Sequence, residues 1–169
     1  TNATTRFGIT KVEVKKLIPK ARELDEKGEN EEALKLYRLI YKIYSRSSKA
    51  SEKKMILIGQ RIGILVALQG KHEAALNWFL RSYDVVRKIN DDELPFKIYF
   101  DICLMQYKLG LFAESIDMFK ECLEHVKEQH ADNHEQLALV HQQLGFCYFK
   151  KGMKQESEKH LTDALEHLN

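Results

Sequence analysis

The stretch Gln142–Leu161, QQLGFCYFKKGMKQESEKHL, decides the fold. Counted from Gly152, a small residue (Gly145) stands seven positions before it and another (Ser157) five positions after it. A bulky apolar residue, Leu161, follows at nine. The same arrangement surrounds three earlier glycines: Gly28, Gly70, Gly110 and Gly152 lie 42, 40 and 42 residues apart. Ala21, Gly63 and Cys103 hold the preceding small position and Ala33, Ala75 and Ser115 the following one, while Tyr37, Phe79 and Phe119 stand where Leu161 does. Small side chains on two antiparallel helices let their axes approach, a bulky neighbour fills the groove, and glycine ends the first helix. A helix pair used four times is the reading.

Working outward, the periodicity is helical throughout. His72–Ile89 carries Leu76, Phe79, Leu80, Tyr83, Val86 and Ile89 at steps of three and four. Pro95 behind Asp91, Asp92 and Glu93 suits a helix N-terminus, where its missing N–H is not needed. Asn133 with Gln136, and Thr10 with Glu13, have capping-box spacing. Pro19 is discordant and is expected to kink or divide the segment Val12–Lys27. Ser45–Ser51 is the one loop-like run, too short for a domain linker, and no strand signal occurs. The last helix, Lys154–Leu168, is apolar on a single stripe of Leu161, Ala164, Leu165 and Leu168. The first is heavily charged, so both ends suit a capped array that stands alone.

Composition narrows the class. The 169 residues are 44% hydrophobic and 31% charged with a net charge of +2, which excludes a disordered chain and a disulfide miniprotein. The most apolar run, Met55–Leu68, is interrupted by Gln60 and Arg61, so no membrane insertion is expected. Cys103, Cys122 and Cys147, odd in number and in apolar contexts, point to reduced thiols and a cytoplasmic, intracellular setting. The chain begins at Thr1 without a signal segment and is read as a piece excised from a longer protein.

Charge is distributed along the chain rather than on a basic face: residues 1–90 carry a net +9 and residues 91–169 a net −7. That pattern argues against nucleic acid and allows weak head-to-tail self-association, the plainer alternative being solvated helix faces that differ. Chemistry finds little foothold. His130 and His134 have a spacing that ligates zinc on a helix, but they sit at an expected turn without a third ligand. The cysteines form no C-x-x-C and read as packing residues. No catalytic residue, metal or cofactor is expected.

The small residue, the glycine turn and the small-then-bulky pair resemble the tetratricopeptide repeat over about residues 11–168, with Leu144-Gly145-Phe146-Cys147-Tyr148 the best-kept element. The usual tryptophan is replaced by Leu17, Gly59, Tyr99 and His141, and the spacing exceeds the customary 34 or so. Repeats of this length are similar to those of kinesin light chain, the Pins/LGN adaptors and Rap-type receptors.

The resemblance implies an all-α fold, an α-solenoid of about four antiparallel helix pairs wound as a right-handed superhelix. A flexible tail over residues 1–10 would precede one domain over 11–169, with repeats at about 11–48, 51–90, 94–131 and 133–168. It further implies a non-enzymatic scaffold whose first helices line a concave, peptide-binding groove. The positions ten, six and three before each glycine would face it: Ile18, Arg22 and Asp25; Gln60, Ile64 and Ala67; Phe100, Leu104 and Tyr107; Gln142, Phe146 and Phe149. Lys97, Lys108 and Lys150 adjoin them, so the expected partner is an amphipathic peptide with acidic residues. The competing account is that these aromatics pack between repeats. The carboxylate clamp of chaperone-tail receptors is matched only at Lys97, with Ile18, Arg22, Arg61 and Asp101 in its other places. A peptide-sensing regulatory domain and a self-associating structural segment are the functional alternatives.

Overall fold

The computed structural model describes residues 11–46, 52–89 and 95–168. They form eight helices and, among the described residues, no strand: α1 (Lys11–Glu26), α2 (Asn30–Ser45), α3 (Glu52–Leu68), α4 (His72–Ile89), α5 (Pro95–Lys108), α6 (Phe112–Gln129), α7 (His134–Lys150) and α8 (Lys154–Glu166). Residues 1–85 and 86–169 make two compact units. The expected tail over residues 1–10 and the Thr10 cap lie outside the described residues.

Each of the four repeat glycines ends a helix in the left-handed region, at φ of +76° or +77°. At the first, the N–H of Gly28 donates to Asp25 C=O (3.0 Å) and that of Glu29 to Leu24 C=O (2.9 Å), the paired bonds of a Schellman cap. The chain then turns straight into the second helix, and the small residues meet. Ser115 Oγ donates to Cys103 C=O at 2.9 Å, and Ser157 Oγ to Gly145 C=O at 2.8 Å. A Cβ added at Gly63 would come within 2.5 Å of the Phe79 ring. Close approach is therefore the reason for glycine at Gly63, whereas at the turns it is backbone conformation.

In the first unit α1 packs on α2 and α2 on α3, around Ala21, Ala33, Tyr37, Ile40, Ile62 and Phe79. Helix α3 is buried on most sides, including Gly59 and Gly63. In the second unit α5, α6, α7 and α8 pack in sequence, and Phe119, Cys122, Val126, Val140, Leu144 and Cys147 share one core.

Two local expectations meet different fates. Asn133 Oδ1 accepts the Gln136 N–H at 3.0 Å, so the cap exists; Gln136 Oε1, however, is buried without a protein partner, and the box is half-formed. Pro19 does not divide α1, which runs unbroken from Lys11 to Glu26. Pro19 lies on the exposed side with Lys15, Lys16 and Lys20, where the carbonyl deprived of its N–H partner is open to water.

The outermost helices differ in finish. Helix α1 exposes Lys16, Lys20 and Glu23 at the repeat positions where α7 packs Val140, Leu144 and Cys147. The apolar stripe of α8 and the turn after it is only partly covered: Leu165 and Leu168 are 63% and 67% exposed.

Candidate functional site

In the second unit the residues expected in a groove fall into two classes. On α5, Phe100, Leu104 and Tyr107 are half-buried. Phe100 meets Phe119 edge-on at 5.8 Å and Phe96 at 6.0 Å, while Tyr107 meets Phe112 at 5.4 Å. Phe100 and Tyr107 both pack against the core, so the α5 aromatics are partly structural. On α7 the face is open: Gln142 and Lys150 are exposed, Phe146 is 41% exposed and Phe149 is 64% exposed. Lys97 and Lys108 are exposed on α5.

The first unit supplies less of the expected surface. Gln60 is buried at 5% exposure and Ile64 is half-buried, since α3 turns most of its circumference into the core. Gln60 is thereby corrected from a groove residue to a core one. Asp25, another groove position, is already engaged. Its carboxylate takes Arg61 Nε and, at 2.6 Å, Arg61 Nη2, and it accepts the Tyr37 hydroxyl at 3.2 Å. This bidentate pair ties α1, α2 and α3 together. Burial, and then the Asp25 carboxylate, push the Tyr37 hydroxyl up to about 12.

The cysteines are all buried and free. Burial raises the Cys103 and Cys147 thiols and pushes Cys122 up to about 12. A thiol held protonated is a poor nucleophile. In the native protein at neutral pH none of the three should react with a thiol-exchange reagent within the time that full reaction takes in denaturant. A fast native phase would show one of them accessible and ionised.

The histidines are arranged in a way their spacing does not reveal. His134 pairs with His167, Nδ1 to Nδ1 at 3.2 Å, rather than with His130. His141, buried on α7, faces His160 of α8 at 2.9 Å and Asp163 at 3.4 Å. These contacts join residues brought together only by the α7–α8 turn. Sequence reading passed over them because nothing local links His141 to His160.

Glycine-closed hairpins packed through paired small residues define an all-α helical-repeat protein. Residues 94–169 match the family model of the tetratricopeptide repeat, and α1–α4 repeat the hairpin geometry of that half. No curated protein matches the sequence. Among solved structures, the chain is similar to a putative kinesin light chain of nearly identical TPR-like repeats from Podospora anserina. The TM-score is 0.75 at 15% identity, over 90% of this chain and 73% of that one. It is similar as well to aspartyl phosphate phosphatase F from Bacillus subtilis (TM-score 0.77, 12% identity, 91% of this chain and 39% of that one). RapI in its apo form gives a TM-score of 0.75 at 18% identity over 87% of this chain and 40% of that one. At these identities the likeness is one of fold, and the chain spans about two fifths of the last two proteins. Tetratricopeptide-repeat proteins generally mediate protein–protein interactions, typically without catalysis. No helix among the described residues is long and apolar enough to cross a membrane.

Proposed function

We propose that this chain is a non-enzymatic, intracellular scaffold that captures a peptide segment of a partner protein on the first-helix face of its second unit. The observation that carries the reading is the exposure of Phe146 and Phe149 on α7. Exposed Phe side chains spaced three apart on one helical face favour an apolar partner, because each offers a large area at little rotamer cost. Phe100, Leu104 and Tyr107 extend the apolar character on α5, and Lys97, Lys108 and Lys150 supply positive charge in a half of the chain that is otherwise acidic. An amphipathic peptide with acidic flanks fits that composition. The test is the affinity of selected peptides for Phe146→Ala/Phe149→Ala and Lys150→Glu variants. Phe100→Ala is a poor probe, since it would disturb the contact with Phe119. A peptide-sensing regulatory role would use the same face and would add a change in solution dimensions on binding.

Self-association is the second reading, favoured by one feature. An apolar groove of about 340 Å³ lies between α7 and α8, lined by residues including Leu139, Leu161, Ala164, Leu165 and Leu168. Head-to-tail docking against α1 fits poorly, as α1 offers Lys16, Lys20 and Glu23 there. Pairing of two α7–α8 faces is the form to test. Sedimentation should show a dimer that Leu165→Lys/Leu168→Lys dissolves, and a monomer at high micromolar concentration would remove the reading.

A further inference from the structure

We propose that His141, His160 and Asp163 form a binding site for a first-row divalent transition-metal ion, zinc foremost, that clips α8 to α7. The three side chains offer one ligand atom each, and those atoms lie within 4.8 Å of one another. His141 Nδ1 stands 2.9 Å from His160 Nδ1 and 3.4 Å from Asp163 Oδ2. A tetrahedral ion with bonds of 2.0–2.1 Å places its ligand atoms about 3.3 Å apart, so the two separations from His141 bracket the required one. Two imidazole nitrogens and one carboxylate suit zinc or cobalt, whereas magnesium and calcium prefer all-oxygen shells.

The surroundings hold the ligands in place. His160 and Asp163 are three apart on α8 and so share a face, while His141 projects from α7 across the hairpin. Tyr148 stacks on the His160 ring at 5.4 Å and 7°, fixing its plane. The His141 side chain is 7% exposed and that of Asp163 31%, so one side of the site is closed and the other opens to water, which can take the fourth position. Burial, and then the neighbouring His160, bring His141 down to about 4, and burial lowers His160 too. Without an ion, two facing Nδ1 atoms must share one proton. With it, both lone pairs point at the metal and each ring carries its proton on Nε2.

The proposal is independent of the peptide-binding reading. Tag-free protein stripped with chelator is titrated with Zn²⁺ by calorimetry and with Co²⁺ by visible absorption. The expected result is one saturable site per chain, four-coordinate Co²⁺ bands, and a melting temperature raised by about 5 °C or more at a hundredfold excess over Kd. His160→Gln and Asp163→Asn each weaken binding at least about tenfold with unchanged far-ultraviolet dichroism. Asp163 is partly exposed, so Asp163→Asn keeps the fold and decides the matter should His160→Gln not fold. His134→Gln, which breaks the neighbouring histidine pair, leaves the affinity unchanged. Absence of saturable binding at millimolar Zn²⁺, full affinity in Asp163→Asn, or loss of binding in His134→Gln would each overturn the assignment.

Discussion

Gly63→Ala should destabilise the first unit by about 2–3 kcal/mol in a denaturant titration. On an exposed helix the same change stabilises by about 1 kcal/mol. Here the new methyl would enter the Phe79 ring, with contacts of 2.5 to 2.9 Å, and Phe79 is 1% exposed and has nowhere to go. The helices must part, and the packing lost along their length outweighs the propensity gain. Gly110→Ala is the contrast. Nothing lies within 4 Å of its Cβ, and the cost is the left-handed backbone alone, about 1 kcal/mol. Adding Phe79→Leu to Gly63→Ala should restore part of the loss, because the smaller side chain makes room. A neutral or stabilising Gly63→Ala would mean that α3 and α4 do not approach as closely as described.

Phe119→Ala should cost the second unit about 3–5 kcal/mol, enough to unfold a marginal domain. Phe119 is fully buried in the α5–α7 core and carries the edge contact of Phe100. Phe149→Ala, on the same unit, should change stability by no more than about 0.5 kcal/mol, as an exposed side chain leaves little packing behind. The two melting temperatures measured side by side separate residues that hold the hairpins from those available to a partner. Equal losses would place Phe149 in the core and remove the main support for the interaction face.

Most of the fold was legible because the features that build it are local and repeated. A left-handed C-cap calls for glycine, and close helix approach calls for Gly, Ala, Ser or Cys; Gly28, Gly70, Gly110 and Gly152 and their flanking small residues state both demands. Side-chain exposure at the proposed interaction face was legible only in part. The register placed Phe146 and Phe149 on an open surface, as found, but it also placed Gln60 there, and α3 is apolar on too many sides for one rotation to expose a stripe. What sequence reading missed is long-range: the Asp25–Arg61 pair spans 36 positions, and His141 meets His160 across a turn. Neither contact leaves a periodic trace. Pro19 does not divide α1, because a proline disrupts a helix less where the freed carbonyl is hydrated.

The central claim is that the α7 face captures a peptide. A random peptide library displayed on phage, selected against the purified chain and followed by titration of the enriched sequences, tests it most directly. The account predicts peptides with aromatic or aliphatic anchors flanked by acidic residues. Their affinity should fall about tenfold or more on Phe146→Ala/Phe149→Ala and on Lys150→Glu, at unchanged helicity. Peptides whose affinity is untouched by both variants would contradict it and move the interface off α7.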